Sequence, residues 1–420
     1  MKILLIAHLL PYPPKGGSPL RNYNLLKEIA SRHEVHMLTF HQRAHSQHGS
    51  SLEEAKQEIG ALCAHLEVFD IPTDYSQRRW YALLLRNLFS LTPYSVWRYW
   101  SKEMEEAIKR RVADHNFDVI HFDTIALAGF ARLVPTTAKV LNHHNIESQL
   151  LYRRAAYVSN PLTKLYFYYQ AWKLRRFERH ICKVMDFQVT VSENDRQTLL
   201  EYCPDAKIAI VPNGVDPDYF SPTNDKEEPN SVIYVGGMTW FPNLDAMKYF
   251  SADIWPLIKR EMPGASMKHV GKRAGLDPSR AISADPSIEF LGFVDDIRTE
   301  ITKSAVYIVP LRIGGGTRLK IFDAMSMGKA IVSTSIGCEG IDVTDGHDIM
   351  IADTPDDFAQ KVIQLMQDPD LRERLSRNAR RSVEERFSWK KIAPRLEHTL
   401  AEAAAMKAQR LSTPNMRQEH

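Results

Sequence analysis

Cysteine is scarce. The four thiols in 420 residues, Cys63, Cys182, Cys203 and Cys338, stand far apart. They have no metal-ligand spacing and make no disulfide framework, which points to a reducing, cytoplasmic setting. No stretch reaches the roughly 20 apolar residues needed to cross a bilayer, so any membrane contact is expected to be peripheral. Net charge is nearly absent as well: 54 Lys and Arg against 51 Asp and Glu leave a formal +3, too little to imply a nucleic-acid partner. Low-complexity tracts and short repeats are missing. The opening MKILLIAHLLPYPP has a short apolar run without a small-residue cleavage site, so it reads as a first buried strand and not a signal peptide.

What is present is ordinary globular composition, 44% hydrophobic and 25% charged, in a chain of 48.2 kDa. That size suggests two domains. Short β-rich runs alternate with helical patterns, which predicts an α/β protein with parallel, doubly wound sheets of Rossmann-like type. Strands are expected near residues 3–6, 35–40, 66–69, 119–122, 139–142, 188–191 and 208–211. After the polar stretch 221–231 (SPTNDKEEPNS), which reads as an interdomain linker, they restart near 232–235, 267–270, 288–291, 306–309, 330–333 and 349–352. The expected domains are therefore residues 1–220 and 221–387. A further amphipathic helix begins behind Ser388, a plausible N-cap, and residues 406–420 form a disordered tail. Ligands of open α/β sheets bind at the carboxyl ends of the strands, so two such sheets turned toward one another would share a cleft.

The richest segment in that light is Gly314-Gly315-Gly316-Thr317-Arg318-Leu319-Lys320-Ile321-Phe322-Asp323, directly behind an expected buried strand. Glycines let a backbone approach an anion, Thr317 can cap a helix, and Arg318 and Lys320 suit phosphate oxygens. Asp323 can accept hydrogen bonds from sugar hydroxyls. The plain alternative is an i, i+3 surface pair of Lys320 and Asp323. A second glycine loop, PPKGG with Gly16 and Gly17, precedes a helix and reads either as an anion site or as a simple turn. The third segment is Asn142-His143-His144-Asn145-Ile146-Glu147, at the end of a strand, with His121 and Asp123 behind the neighbouring strand. A histidine there can donate to a developing charge or a sugar hydroxyl. Adjacent residues on an extended chain point opposite ways, so His143 and His144 are not expected to share a metal.

Charge is uneven along the first half. Residues 148–183 hold eight Lys and Arg against one acid, Glu178, interleaved with aromatics, and residues 78–100 add Arg78, Arg79, Trp80, Arg86, Phe89, Trp97, Arg98 and Trp100. Such a mixture suits an anionic bilayer surface or a phosphorylated lipid, and equally a helix that packs its rings inward.

Taken together, PPKGG, HNIE, VSENDR, PNGVD, YVGGM, EFLGFVDD and GGGTRLKIFDAMSMGKAIVST resemble, in order and over nearly the whole chain, the family-4 glycosyltransferases, retaining sugar-nucleotide enzymes of the GT-B fold. The likeness is greatest to the subgroup of exopolysaccharide and cell-surface glycan assembly. The resemblance implies a nucleotide-sugar donor, a UDP- or GDP-hexose, and a glycan or lipid-linked glycan acceptor. It implies no cofactor and usually no metal. It puts Gly16 and Gly17 near the donor diphosphate, His144 near the donor sugar, Asp323 at the ribose, and Gly292, Phe293 and Val294 along the base. His121, Asp123, Asn145 and Glu147 are left on the acceptor side, and the helix from 388 to 405 would return to the first domain. Two features depart from the family pattern. Gly315 stands where the family has a first Glu, and MTWFPN (238–243) lacks a usual Arg and Lys. Arg318 and Lys320 are expected to supply the missing phosphate charge. Two other activities remain compatible: a sugar-nucleotide epimerase of the same architecture, and a catalytically silent nucleotide-sugar binder.

Overall fold

Continuous apolar runs of four to six residues suit strands buried on both faces, and in the computed structural model they form two all-parallel sheets. The structure describes residues 1–14, 17–42, 51–74, 76–158, 160–223, 225–273, 275, 277, 282–313 and 318–412. The chain divides into two units, Met1–Pro212 with Ala393–His420, and Asn213–Ile392.

The first unit holds β1 (Lys2–Ala7), β2 (Glu34–His41), β3 (His65–Asp70), β4 (Val119–Phe122), β5 (Ala138–His143), β6 (Phe187–Thr190) and β7 (Ile208–Ile210). Their order in the sheet is β3-β2-β1-β4-β5-β6-β7. The order reverses between β1 and β4, which pair in register from Ile3 with Val119 to Ile6 with Phe122. All residues of β4 and β5 are buried. Leu4, Ile6, Leu38, Phe40, Ile120, Phe122 and Leu141 meet in one core, each fully buried aliphatic side chain contributing about 1.5–3 kcal/mol before entropy is counted.

The second unit repeats the plan with β8 (Glu228–Val235), β9 (Ser266–Val270), β10 (Ile288–Gly292), β11 (Ser304–Val309), β12 (Ala330–Ser333) and β13 (Met350–Ile351), ordered β10-β9-β8-β11-β12-β13. Here the reversal lies between β8 and β11, whose register pairs Val232 with Val306 and Ile233 with Tyr307.

Two expectations are corrected. The stretch 221–231 is not a linker, since the unit boundary falls between Pro212 and Asn213 and β8 already starts at Glu228. Its polar residues are polar because they bridge the surface of the second sheet. Glu227 accepts from Lys329 Nζ at 3.0 Å and Arg372 Nε at 3.0 Å, and Thr223 N donates to Thr302 Oγ1 at 3.2 Å. The expected disordered tail is corrected over its first seven residues, and residues 413–420 lie outside the described residues. The last helix runs Trp389–Ser412, so residues 406–412 are helical, held by Lys407 Nζ on Pro135 O at 3.3 Å and Arg410 on Asp186 at 3.2 Å. The part of this helix beyond Ala393 buries Leu396, Leu400 and Ala403, and Glu397 meets Arg32 and His33 at 2.9 and 2.7 Å.

Candidate functional site

At the carboxyl edge of the first sheet, three neighbouring strands each deliver one side chain. His8 follows β1, Asp123 follows β4 and His144 follows β5. Asp123, 2% exposed, takes His144 Nε2 on Oδ1 at 2.8 Å and His8 Nδ1 on Oδ2. Burial works to raise the Asp123 carboxyl, but the two imidazoles outweigh it and hold it well below the usual carboxylate range. The carboxylate therefore only accepts, and both facing ring nitrogens carry the proton. For His144 this leaves Nδ1 as an acceptor, because burial lowers its pKa against the pull of Asp123 and keeps the ring neutral. His144 Nδ1 is then the ring nitrogen left to meet a ligand, as an acceptor.

Below this trio Arg21, on the helix Gly17–Ala30, is 1% exposed. Its guanidinium donates to the carbonyls of Pro212 and Val211 at 2.7 and 2.8 Å and to Asn142 Oδ1 at 3.3 Å. Burial brings its pKa down to about 10, with Asp123 opposing. His121 lies inside β4 beside a small cavity shared with Arg21, Asp123 and Asn142. Burial lowers it to about 4, so the ring is neutral near pH 7. His143 turns away from His144, as expected for adjacent strand residues, and its Nε2 meets Gln188 Oε1 at 2.9 Å. Asn145 and Glu147 are half-buried. The Glu147 carboxyl is pushed up to about 7 by burial and then by Glu178, so near neutral pH it can give or take a proton.

The ligand atoms of His8, Asp123 and His144 lie within 4.8 Å of one another, a grouping that could hold a metal ion. Sequence reasoning missed it, since His8 is more than 100 positions from its partners and only strand order joins them. Treatment with EDTA separates the two readings. We expect the melting temperature to survive chelation with the trio serving as a hydrogen-bonded unit, whereas a drop restored by one divalent ion would make it a cation site.

At the carboxyl edge of the second sheet, the helix Leu319–Ser326 behind β11 carries Lys320 back over β8. Lys320 Nζ donates to Asn243 Oδ1 at 3.0 Å, lies 3.1 Å from Tyr234 Oη and rests 4.4 Å from the Tyr234 ring centroid. Tyr234 Oη in turn donates to Asn243 Oδ1 at 2.8 Å. Burial, with Arg318 adding to it, lowers Lys320 to about 7, and Asp323 opposes the shift. Burial likewise raises Asp323 to about 7 against Lys320. Among the ion pairs of the described residues there is none between Lys320 and Asp323, so the surface-pair alternative does not hold.

Glycines make room for this ammonium. A Cβ at Gly236 would stand 2.8 Å from Lys320 Nζ, and one at Gly271 only 2.4 Å from Gly236 O. The loops behind β8 and β9 can approach so closely only without side chains. Gly292 ends β10 at φ 78°, Phe293 beside it is exposed with Lys272 Nζ 5.7 Å from its ring, and Val294 packs partly on the core. Arg318 occupies the N-cap position of its helix. Gly17 begins the first helix of the chain. Gly16, Gly314, Gly315, Gly316 and Thr317 lie outside the described residues.

Comparisons with known proteins agree with this architecture. Residues 15–219 match the model described as Glycosyltransferase Family 4, and residues 229–368 that described as Glycosyl transferases group 1. An uncharacterized 44.6 kDa protein in the cps region of Klebsiella pneumoniae is 22% identical over 93% of this chain and 97% of its own. The uncharacterized glycosyltransferase MJ1069 of Methanocaldococcus jannaschii is 25% identical over 50% of this chain and 57% of its own. Among solved structures, sucrose-phosphate synthase from Thermosynechococcus elongatus matches at TM-score 0.69 and 14% identity, covering 97% of this chain and 100% of that one. HepE of Anabaena, solved with UDP and glucose, matches at TM-score 0.63 and 14% identity over 96% and 100%. These likenesses show the fold, GT-B. With a family 4 domain in its first half and a group 1 domain in its second, the chain belongs to the glycosyltransferases.

Proposed function

We propose that the chain moves a hexose from a nucleoside diphosphate sugar to a hydroxyl of a glycan or lipid-linked glycan, with retention of anomeric configuration. The observation that carries this reading is Lys320: a half-buried ammonium at the strand-order reversal of the second sheet, set against the side-chain-free edge of Gly236. Among the described residues no carboxylate pairs with this half-buried cation, and a bound diphosphate would supply the countercharge. The HepE complexes hold UDP and glucose, which favours a nucleotide-sugar donor, and the cps-region relative favours surface-glycan assembly. Retention is carried over from the family-4 resemblance, and the free thiols fit a cytoplasmic reaction.

In this reading Arg318 and Lys320 stabilise the charge that grows on the leaving diphosphate as the bond from sugar C1 to phosphate oxygen breaks. The acceptor oxygen bonds to C1 on the same face, and its proton passes to the departing phosphate. Asp323 holds the ribose, Phe293 and Val294 the base, and the backbone behind Gly314, Gly315, Gly316 and Thr317, with Gly16 and Gly17, the diphosphate. His144 Nδ1 accepts from a sugar hydroxyl, and Asp123 fixes its tautomer. Asn145 and Glu147 serve the acceptor. A panel of UDP- and GDP-sugars, screened first by thermal shift and then by NMR of the product anomer, tests the reading. We expect one donor to raise the melting temperature and to yield a product of unchanged anomeric configuration. Isomerised donor without acceptor would point to an epimerase, and tight binding without transfer or hydrolysis to a silent binder.

A further inference from the structure

Two helices of the first unit turn apolar side chains outward. In Gln77–Leu88 the one buried residue is Asn87. Trp80, Tyr81, Leu85 and Leu88 are exposed, and Phe89, just beyond, is 88% exposed. In Pro161–Cys182, Leu162, Leu165, Tyr168 and Trp172 are exposed at helical spacing. Beyond Trp172 the same stripe turns cationic, with Arg176, Arg179 and Lys183 all exposed. The two helices are locked side by side. Tyr169 Oη donates to Leu88 O at 3.0 Å, Gln170 Nε2 to Asn87 Oδ1 at 2.8 Å and Lys173 Nζ to the same oxygen at 3.2 Å. Their apolar side chains thus form one patch, of a kind that monomeric surfaces seldom leave in water.

A cleft of about 490 Å³ opens at the cationic end, lined by Trp172, Arg175, Arg176, Arg179, Lys183 and Tyr202. Acidic groups do little to neutralise it. Glu201 lies 3.6 Å from Arg175, while Glu178 is buried and spent on Ser148 and Tyr202, at 2.5 and 2.7 Å. Several residues of the basic and aromatic stretches are not part of this face: Lys173 is buried, Arg98 pairs with Asp74, and Trp100 stacks on Phe130.

We propose that this face docks on a bilayer containing anionic phospholipid. The Gln77–Leu88 helix and the first half of Pro161–Cys182 lie in the interfacial layer, and the cleft beyond Trp172 receives a lipid phosphate. The order along the second helix, apolar and then cationic, repeats the order met on leaving a bilayer, acyl chains and then phosphates. No helix among the described residues is long and apolar enough to cross a membrane, so the helices lie on the surface. The proposal does not depend on the transfer reaction.

Co-sedimentation of the full chain with phosphatidylcholine vesicles, with and without phosphatidylglycerol, tests it. The wild type is expected to pellet with the anionic vesicles alone and to be released by salt. Leu85→Glu with Phe89→Glu, and separately Arg176→Glu with Arg179→Glu, should each lower vesicle affinity about tenfold or more. All four positions are exposed, and unchanged melting temperatures would show that the fold is intact. Wild type that stays in the supernatant, or variants that pellet like wild type, would overturn the proposal. Two other results would as well: inorganic phosphate raising the melting temperature while anionic vesicles go unbound, which would leave a phosphate site, and a dimer dispersed by Phe89→Glu, which would make a second copy the occupant.

Discussion

Lys320→Met is expected to lower sugar transfer by about 10²–10³-fold, the range seen when one preorganised donor to a developing anion is removed, while leaving the fold as stable as before or more so. Both halves follow from its surroundings. The ammonium is partly withdrawn from water and has hydroxyl and amide oxygens for company, so replacing it with an apolar side chain of similar length removes a desolvation cost. Tyr234 and Asn243 keep their own hydrogen bond. Because its pKa in the fold is about 7, below the roughly 10.4 of an unfolded lysine, the unfolded state binds more protons between these values. Stability of the wild type should therefore rise with pH through that window, and the rise should vanish in Lys320→Met.

Binding follows the opposite sign. A UDP-sugar, whose diphosphate does not titrate in this range, needs the charged ammonium, so affinity should fall by about tenfold per pH unit above 7. Asp323, raised to about 7, accepts from a ribose hydroxyl when ionised, and its protonation should weaken binding on the acid side. The resulting bell belongs to the pair, with Lys320→Met flattening the basic limb and Asp323→Asn the acid one. Calorimetry across pH 6–9 is the measurement, and a flat wild-type profile would sink both assignments.

Arg21→Met is expected to have the largest effect on stability. The guanidinium satisfies the Pro212 and Val211 carbonyls and Asn142 at once, tying the first helix to the end of the sheet beyond β7. Methionine fills much of the space but leaves buried acceptors without donors and removes a cation from beside Asp123. Breaking a buried charged network of this kind costs about 3–5 kcal/mol. At about 2–4 °C per kcal/mol for a unit of this size, the melting temperature should drop by roughly 10 °C. Arg21→Lys should recover only part of this, because one ammonium cannot span the two carbonyls and the amide with the same fork. A drop of less than about 2 °C in differential scanning calorimetry would contradict this role.

Much of the fold was legible before any coordinates, and the reason is local. Strands buried on both faces must be apolar along their whole length, and each expected run, from Ile3–Ile6 to Ile349–Ala352, has its strand. The segment 221–231 misled for an equally physical reason: polar residues that pair across the surface of the second sheet look like solvated ones until Lys329 and Arg372 are seen on Glu227. Lys320 and Asp323 were legible as polar residues behind a buried strand. The unusual environment of Lys320 was not, since Tyr234 and Asn243 reach it through the order of strands β8 and β11.

Type and spacing of residues alone determined the alternating architecture, the strand positions and the chemistry on offer at the loops, because backbone periodicity and desolvation act over a few neighbouring positions. Only the folded chain decided which distant groups share a proton or a charge. His8, Asp123 and His144 become one unit because β1, β4 and β5 lie side by side, and electrostatic coupling depends on distances through space, which no reading along the chain supplies.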